Sequence, residues 1–146
     1  NIDKKIKQLM FEFLFYWGFA GLYAFITPVY TAGTQGFLYF DFYIAHGGFI
    51  FIILYFLIVL KYKITHKSWL KVFIYSQFIL LLIHLINIYI GGSANYFYTM
   101  EPPIADNPLI IGEYPTHIIM MDLFALIHFY FIYLFMKKIN LTYYLK

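Results

Sequence analysis

Two residue types that exchange or accept protons, histidine and aspartate, recur inside stretches that are otherwise oily. His46 stands in the run Ile44-Ala45-His46-Gly47-Gly48, with Asp41 a little before it. Asp122 lies in a late apolar stretch, and Gln77, His84 and Asn87 share another. An imidazole titrates near neutrality and works as a general base, while a carboxylate fixes its tautomer or stabilises its cation. This chemistry suits acyl or phosphoryl ester work on a lipid. It suits proton-coupled transport equally well. A third use is structural, because interhelical hydrogen bonds hold bundles together where lipid removes the hydrophobic drive.

Spacing sorts these residues. The seven-residue step from Gln77 to His84 and the three-residue step to Asn87 put all three on one helical face. Asp41 and His46 stand five apart, about 140° around a helix, so they are not an ideal pair, and Asp41 fits an interfacial position. Gly47 and Gly48 either open a pocket beside the imidazole or let another helix approach closely. Glu12 reads as an interfacial residue or an ion-pair partner of Lys5 or Lys7. His117 falls at the edge of its stretch and His128 near the middle.

Familiar motifs are absent. The histidines lack the HExxH spacing of zinc proteases, and the glycines form no phosphate or dinucleotide loop. Ser68, Ser76 and Ser93 do not stand in a nucleophile elbow. The chain contains no cysteine, which removes disulfides, thiolate metal sites and a thiol nucleophile from these residues. Neither a metal nor a cofactor is expected.

The elements that must position these groups are four apolar stretches, at 10–26, 37–60, 70–90 and 116–136. The 146 residues are 63% hydrophobic and 12% charged, whereas soluble proteins carry about a quarter charged residues. About 20 apolar residues cross a bilayer as a helix, and open sheet edges are forbidden there. The expected fold is therefore all-α, a polytopic bundle of four transmembrane helices forming a single membrane domain over 1–146.

Lysines decide the orientation. Lys4, Lys5 and Lys7 precede the first span, Lys61, Lys63, Lys67 and Lys71 lie around the second connection, and Lys137, Lys138 and Lys146 follow the fourth span. The connection after Thr27-Pro28 has no charge, and the one from Gly91 to Pro115 carries only Glu101, Asp106 and Glu113. The positive-inside rule puts both termini and the Lys61 to Lys71 loop on the cytoplasmic side, and the arginine-free, lysine-bearing composition points to a bacterial plasma membrane. The lysines then meet anionic lipid and require no nucleic acid. Counted inward from the outer ends, Asp41 lies at roughly 6 Å, His46 at about 13 Å, and His84 and Asp122 at about 9 Å. The outer connection, rich in Gly91, Gly92, Pro102, Pro103, Pro108 and Gly112, is read either as a lid or as interface packing, with Tyr96, Phe97, Tyr98 and Tyr114 suited to an aromatic belt.

The order of segments carries a resemblance. Phe11 to Gly18 leading to Thr27-Pro28, then Phe40-Asp41-Phe42-Tyr43-Ile44-Ala45-His46-Gly47, then Asn95-Tyr96-Phe97-Tyr98 with a distal Pro115, is similar to the YwaF-like integral membrane proteins of bacteria. These are related to the eukaryotic transmembrane protein 164 family, whose proposed activity is acyl transfer on phospholipids. The resemblance implies that this chain is the last four spans of a longer protein. It also implies a cysteine nucleophile from an upstream span, with His46 as its partner. The aromatic pair usual after the distal proline is replaced here by Thr116-His117.

The reading is a lipid-directed acyl transfer or hydrolysis, with His46 as base and Asp41 or Asp122 orienting or stabilising it. Gly47, His84, Asn87, Asn95, Tyr96 and His117 are the candidate substrate-binding residues. The alternatives are a proton-coupled transporter or channel subunit using Asp122, His84, Gln77 and Asn87, and a non-catalytic subunit of a membrane complex. Expected partners are membrane lipids and other membrane subunits.

Overall fold

The computed structural model describes residues 2–28, 30, 33–104, 110–139 and 141–143. Asp106, Pro108 and Lys146 lie outside them. The chain runs α1 (Ile2–Ile26), α2 (Phe37–Ile58), β1 (Ile64–Thr65), α3 (Ser68–Ile90), a short turn of 3-10 helix (Tyr96–Tyr98), α4 (Thr116–Lys138) and β2 (Thr142–Tyr143). All four α-helices are long and apolar enough to cross a membrane. The all-helical expectation holds. The two brief strands pair in parallel, Ile64 beside Thr142 and Thr65 beside Tyr143.

Helix ends follow local chemistry. Proline disfavours helix at the residue before it, and α1 stops at Ile26, just ahead of Thr27 and Pro28. Gly91 closes α3 at a φ of 69°, which an L side chain resists, while its N–H still bonds the Asn87 carbonyl at 2.9 Å. Pro115 precedes Thr116 at the start of α4, where a missing N–H costs nothing. α1 begins well before its apolar stretch, because the lysine-bearing first turns continue the helix and Lys7 pairs with Asp3 at 2.9 Å.

The chain divides into two compact units. The first comprises Asn1–Ser68 and Ile132–Lys146, and the second Trp69–Phe131. In the first, α1 packs along α2 at Gly18. A Cβ built there would lie 2.6 Å from Ile53 Cδ1, so the missing side chain is what admits the fully buried Ile53. Phe11 extends the contact, its ring 5.6 Å from Phe56 and 5.0 Å from Tyr62. In the second unit Trp69 on α3 meets Tyr130 on α4 ring to ring at 5.0 Å. Along the helices Ile44, Phe51 and Phe78 are exposed, the sort of apolar surface that lipid covers.

Glu12 departs from its expected surface role. Lys7 is taken by Asp3, and Glu12 is fully buried. Its Oε1 accepts from the Thr65 N–H at 2.8 Å, the Thr65 hydroxyl at 2.5 Å and Gln8 Nε2 at 3.1 Å. Gln8 also donates to the Lys63 carbonyl at 2.9 Å. One turn further along α1, the Tyr16 hydroxyl meets Ser68 Oγ at 2.8 Å. On the other side of the loop, His66 Nδ1 is 2.9 Å from the Tyr133 hydroxyl of α4. The carboxylate is drawn inward because the loop offers it a backbone N–H and a hydroxyl, which repay desolvation better than an exposed lysine would.

Replacing Glu12 by leucine strands those donors, and each buried orphan costs about 1 to 3 kcal/mol. Amide exchange at Thr65, followed by mass spectrometry in detergent, is expected to speed up strongly in Glu12→Leu and less in Glu12→Gln, which keeps an acceptor oxygen. Unchanged exchange at Thr65 in both variants would show that the carboxylate does not hold the loop.

Candidate functional site

His46 occupies the middle of α2 and is half-buried. Its Nδ1 lies 2.6 Å from the Phe42 carbonyl oxygen, one turn earlier on the same helix. A carbonyl has no proton to give, so Nδ1 donates and Nε2 keeps its lone pair. The ring rests against Phe42, with centroids 4.4 Å apart, and meets Phe25 of α1 edge-on at 6.2 Å. Gly21 makes room on α1, since a Cβ there would come within 4.0 Å of His46 Cδ2.

Gly47 and Gly48 receive no packed neighbour. No described atom beyond the immediate chain lies within 4 Å of a Cβ built on either, so they face open space and the packing seam falls at Gly18 and Gly21. Toward the lysine-poor end an aromatic group caps this region. The Tyr30 and Tyr43 hydroxyls are hydrogen-bonded, and Tyr39 stacks edge-on against Tyr43 at 5.2 Å. Asp41 is exposed, and the hydrogen bond that orients His46 comes from Phe42.

The second unit gathers most of the other candidates. Asp122 Oδ1 accepts from Gln77 Nε2 at 3.2 Å, joining α4 to α3. Farther along the same face of α3, His84 Nδ1 donates to the Thr99 carbonyl at 3.1 Å. Asn87, almost fully buried, donates to the Tyr96 carbonyl at 2.9 Å and to Thr99 Oγ1 at 2.8 Å, and accepts from the Tyr96 N–H at 3.0 Å. The polar stripe expected on α3 therefore exists, and its partners are the loop and α4. His117 is fully buried; its Nε2 donates to the Tyr98 carbonyl at 2.8 Å, and among the described residues its Nδ1 has no hydrogen-bond partner. Tyr114 stands by both imidazoles, at 6.5 Å from His84 and 6.3 Å from His117 between ring centroids.

Asn95 closes the same loop on itself. Its Oδ1 accepts from the N–H groups of Met100 at 3.0 Å and Glu101 at 3.2 Å, and its Nδ2 donates to the Glu101 carbonyl at 2.9 Å. Among the described residues no cluster of three histidine, aspartate or glutamate side chains could hold a metal ion.

A model of the TMEM164 family matches residues 5–133, nearly the whole chain. The chain belongs to the TMEM164 family. No curated protein and no solved structure matches it. This TMEM164-family chain thus holds an imidazole on α2 tethered through Nδ1 to its own helix, and a loop bonded to the ends of α3 and α4.

Of the group that gathers around Glu12, the sequence singled out Glu12 alone, and as an interfacial residue; Gln8, Thr65 and Tyr16 were missed. A signal was present, because Gln8, Glu12 and Tyr16 recur at four-residue steps and so share one face of α1. Thr99, the hub between Asn87 and His84, carries no such signal.

Asn95→Ala removes both acceptor and donor from the loop, while Asn95→Asp retains the acceptors. Amide exchange at Met100 and Glu101 is expected to accelerate at least severalfold in the alanine variant and little in the aspartate variant. Equal protection in all three proteins would place the ordering of the loop elsewhere.

Proposed function

We propose that this chain supplies the histidine of a lipid-directed acyl transfer or hydrolysis, with His46 Nε2 as general base. The observation that carries the reading is the Phe42 tether. With Nδ1–H spent on the Phe42 carbonyl at 2.6 Å, the imidazole is held in one tautomer with its basic nitrogen turned outward from that bond. The open space at Gly47 and Gly48 supports room for an acyl chain beside it. Family membership supports a membrane setting for the substrate.

In the proposed step Nε2 takes the proton of the nucleophile as it attacks the ester carbonyl, then returns it to the departing lipid oxygen. The chain holds no cysteine, so a thiol nucleophile is supplied from outside these residues. The Phe42 carbonyl performs the orienting task, and Asp41 is assigned to the exposed start of α2. Asp122, held by Gln77, is assigned to joining α3 and α4. His84, Asn87, Asn95, Tyr96 and His117 are assigned to shaping the loop after α3. With this reading we assign the chain to the YwaF-like branch and its lysine-bearing ends to the cytoplasmic face of a bacterial plasma membrane.

Proton-coupled transport has less support. Gln77, Asn87 and His84 are each committed to a hydrogen bond inside the second unit, and a proton path would have to break them in turn.

The test is acyl transfer by the full-length protein in liposomes. His46→Ala and His46→Gln are expected to lower kcat at least about 100-fold, the usual scale of general-base catalysis, while Asp122→Asn stays within a few-fold of wild type. Retained transfer in both His46 variants would overturn the assignment, and a proton-linked flux abolished by Asp122→Asn would favour transport instead.

A further inference from the structure

The loop that follows α3 contains a turn of unusual backbone. Phe97 and Tyr98 adopt φ values of 55° and 54°, in the left-handed region where a side chain crowds the main chain. Each such residue is strained and persists only where surrounding bonds over-determine it. Here they do. Tyr96 gives its N–H and its carbonyl to Asn87; the Tyr98 N–H bonds the Asn95 carbonyl at 3.1 Å and its carbonyl takes His117; Thr99 takes His84; Met100 and Glu101 are bonded to Asn95.

An aqueous loop has no need of so many internal partners, since water satisfies its backbone. A segment lying where water is scarce must bring its own, and irregular backbone is tolerated at membrane depth only on that condition. The side chains agree with the backbone. Tyr96 and Phe97 are each 59% exposed and Tyr98 46%, so the clamp turns three adjacent rings outward. No charged residue occurs in 91–100, and charge resumes at Glu101. The turn also begins soon after Ile90, where the membrane-spanning helix α3 ends.

We propose that the Tyr96–Tyr98 turn is a lipid-inserted element, lying in the headgroup and upper acyl region of the bilayer at the lysine-poor end of α3. The Phe97 ring enters the acyl chains, and the Tyr96 and Tyr98 hydroxyls stay among the headgroups, as amphipathic rings do at membrane interfaces. The buried amide of Asn87 and the imidazoles of His84 and His117 are what allow a non-helical backbone to reach that depth. This element anchors the loop whatever reaction the α2 histidine performs.

Because the chain has no cysteine, Phe97→Cys provides a single thiol within it for a nitroxide label. The test uses the full-length protein in phosphatidylcholine liposomes, with any cysteine outside these residues replaced by alanine. Collisions of the label with oxygen are expected to exceed those with a water-soluble nickel chelate. The pattern should match a label at Phe78, 67% exposed on α3, and oppose one at Ile104, 95% exposed in the loop. Nickel collisions at position 97 equal to those at 104 would overturn the proposal by putting the turn in water. Low collision with both reagents would overturn it in favour of a protein cover. Adding Asn87→Ala is expected to raise nickel access at 97 severalfold as the unbonded backbone seeks water; Asn95→Ala provides the same comparison if the first variant fails to fold. Unchanged access in the folded variant would overturn the role given to the clamp.

Discussion

Hydrocarbon offers a polar group nothing to bond with, so each one carried into or near the membrane has to be answered by another from the chain. That constraint organises both units. In the first, one oxygen of Glu12 gathers a backbone N–H, a hydroxyl and an amide, and the α2 to α3 connection is fixed to α1 as a result. In the second, Asn87 spends both of its amide hydrogens on Tyr96 and Thr99 and fixes the loop after α3. Apolar packing between helices contributes shape, as Ile53 does at Gly18, but in lipid it lacks the water-exclusion drive that would make it sufficient.

His46 obeys the same constraint by a local route. Its donor partner is the carbonyl four residues back, so the tautomer is set by α2 alone and requires no second helix. Interhelical bonds elsewhere consume the polar groups that make them, whereas this tether consumes half of one. The glycines beside it divide by function in a way their sequence context left open. Gly18 and Gly21 of α1 receive neighbours, and Gly47 and Gly48 of α2 do not.

The four helices were legible because hydropathy is summed over about 20 residues at a time, and that sum survives any error at single positions. Pro28 and Pro115 marked two ends correctly because their effect is covalent and local. The α3 stripe of Gln77, His84 and Asn87 was legible from spacing, though its partners were not. Glu12 was misread as interfacial since its decisive partner, Thr65, stands 53 positions away in a loop with no periodicity. Two short strands escaped notice for the same reason, being products of tertiary proximity and not of propensity. The candidate residues stood out by type, while the tether from His46 Nδ1 to the Phe42 carbonyl could be seen only in the fold.

Hydrogen-bond capacity left over, combined with access, separates chemistry from architecture in a molecule of this kind. Asn87 has spent both donors, and acting on a substrate would require it to release the turn. Among the described residues His117 has a nitrogen without a hydrogen-bond partner, but the residue is fully buried. His84 is partly exposed, yet the Tyr114 ring lies stacked beside it. His46 alone among these four joins a nitrogen not used by its tether to open space at the adjacent glycines. The same rule bears on the turn after α3: Asn87, Asn95 and Thr99 are satisfied within it, and a satisfied group has little left to offer a transition state.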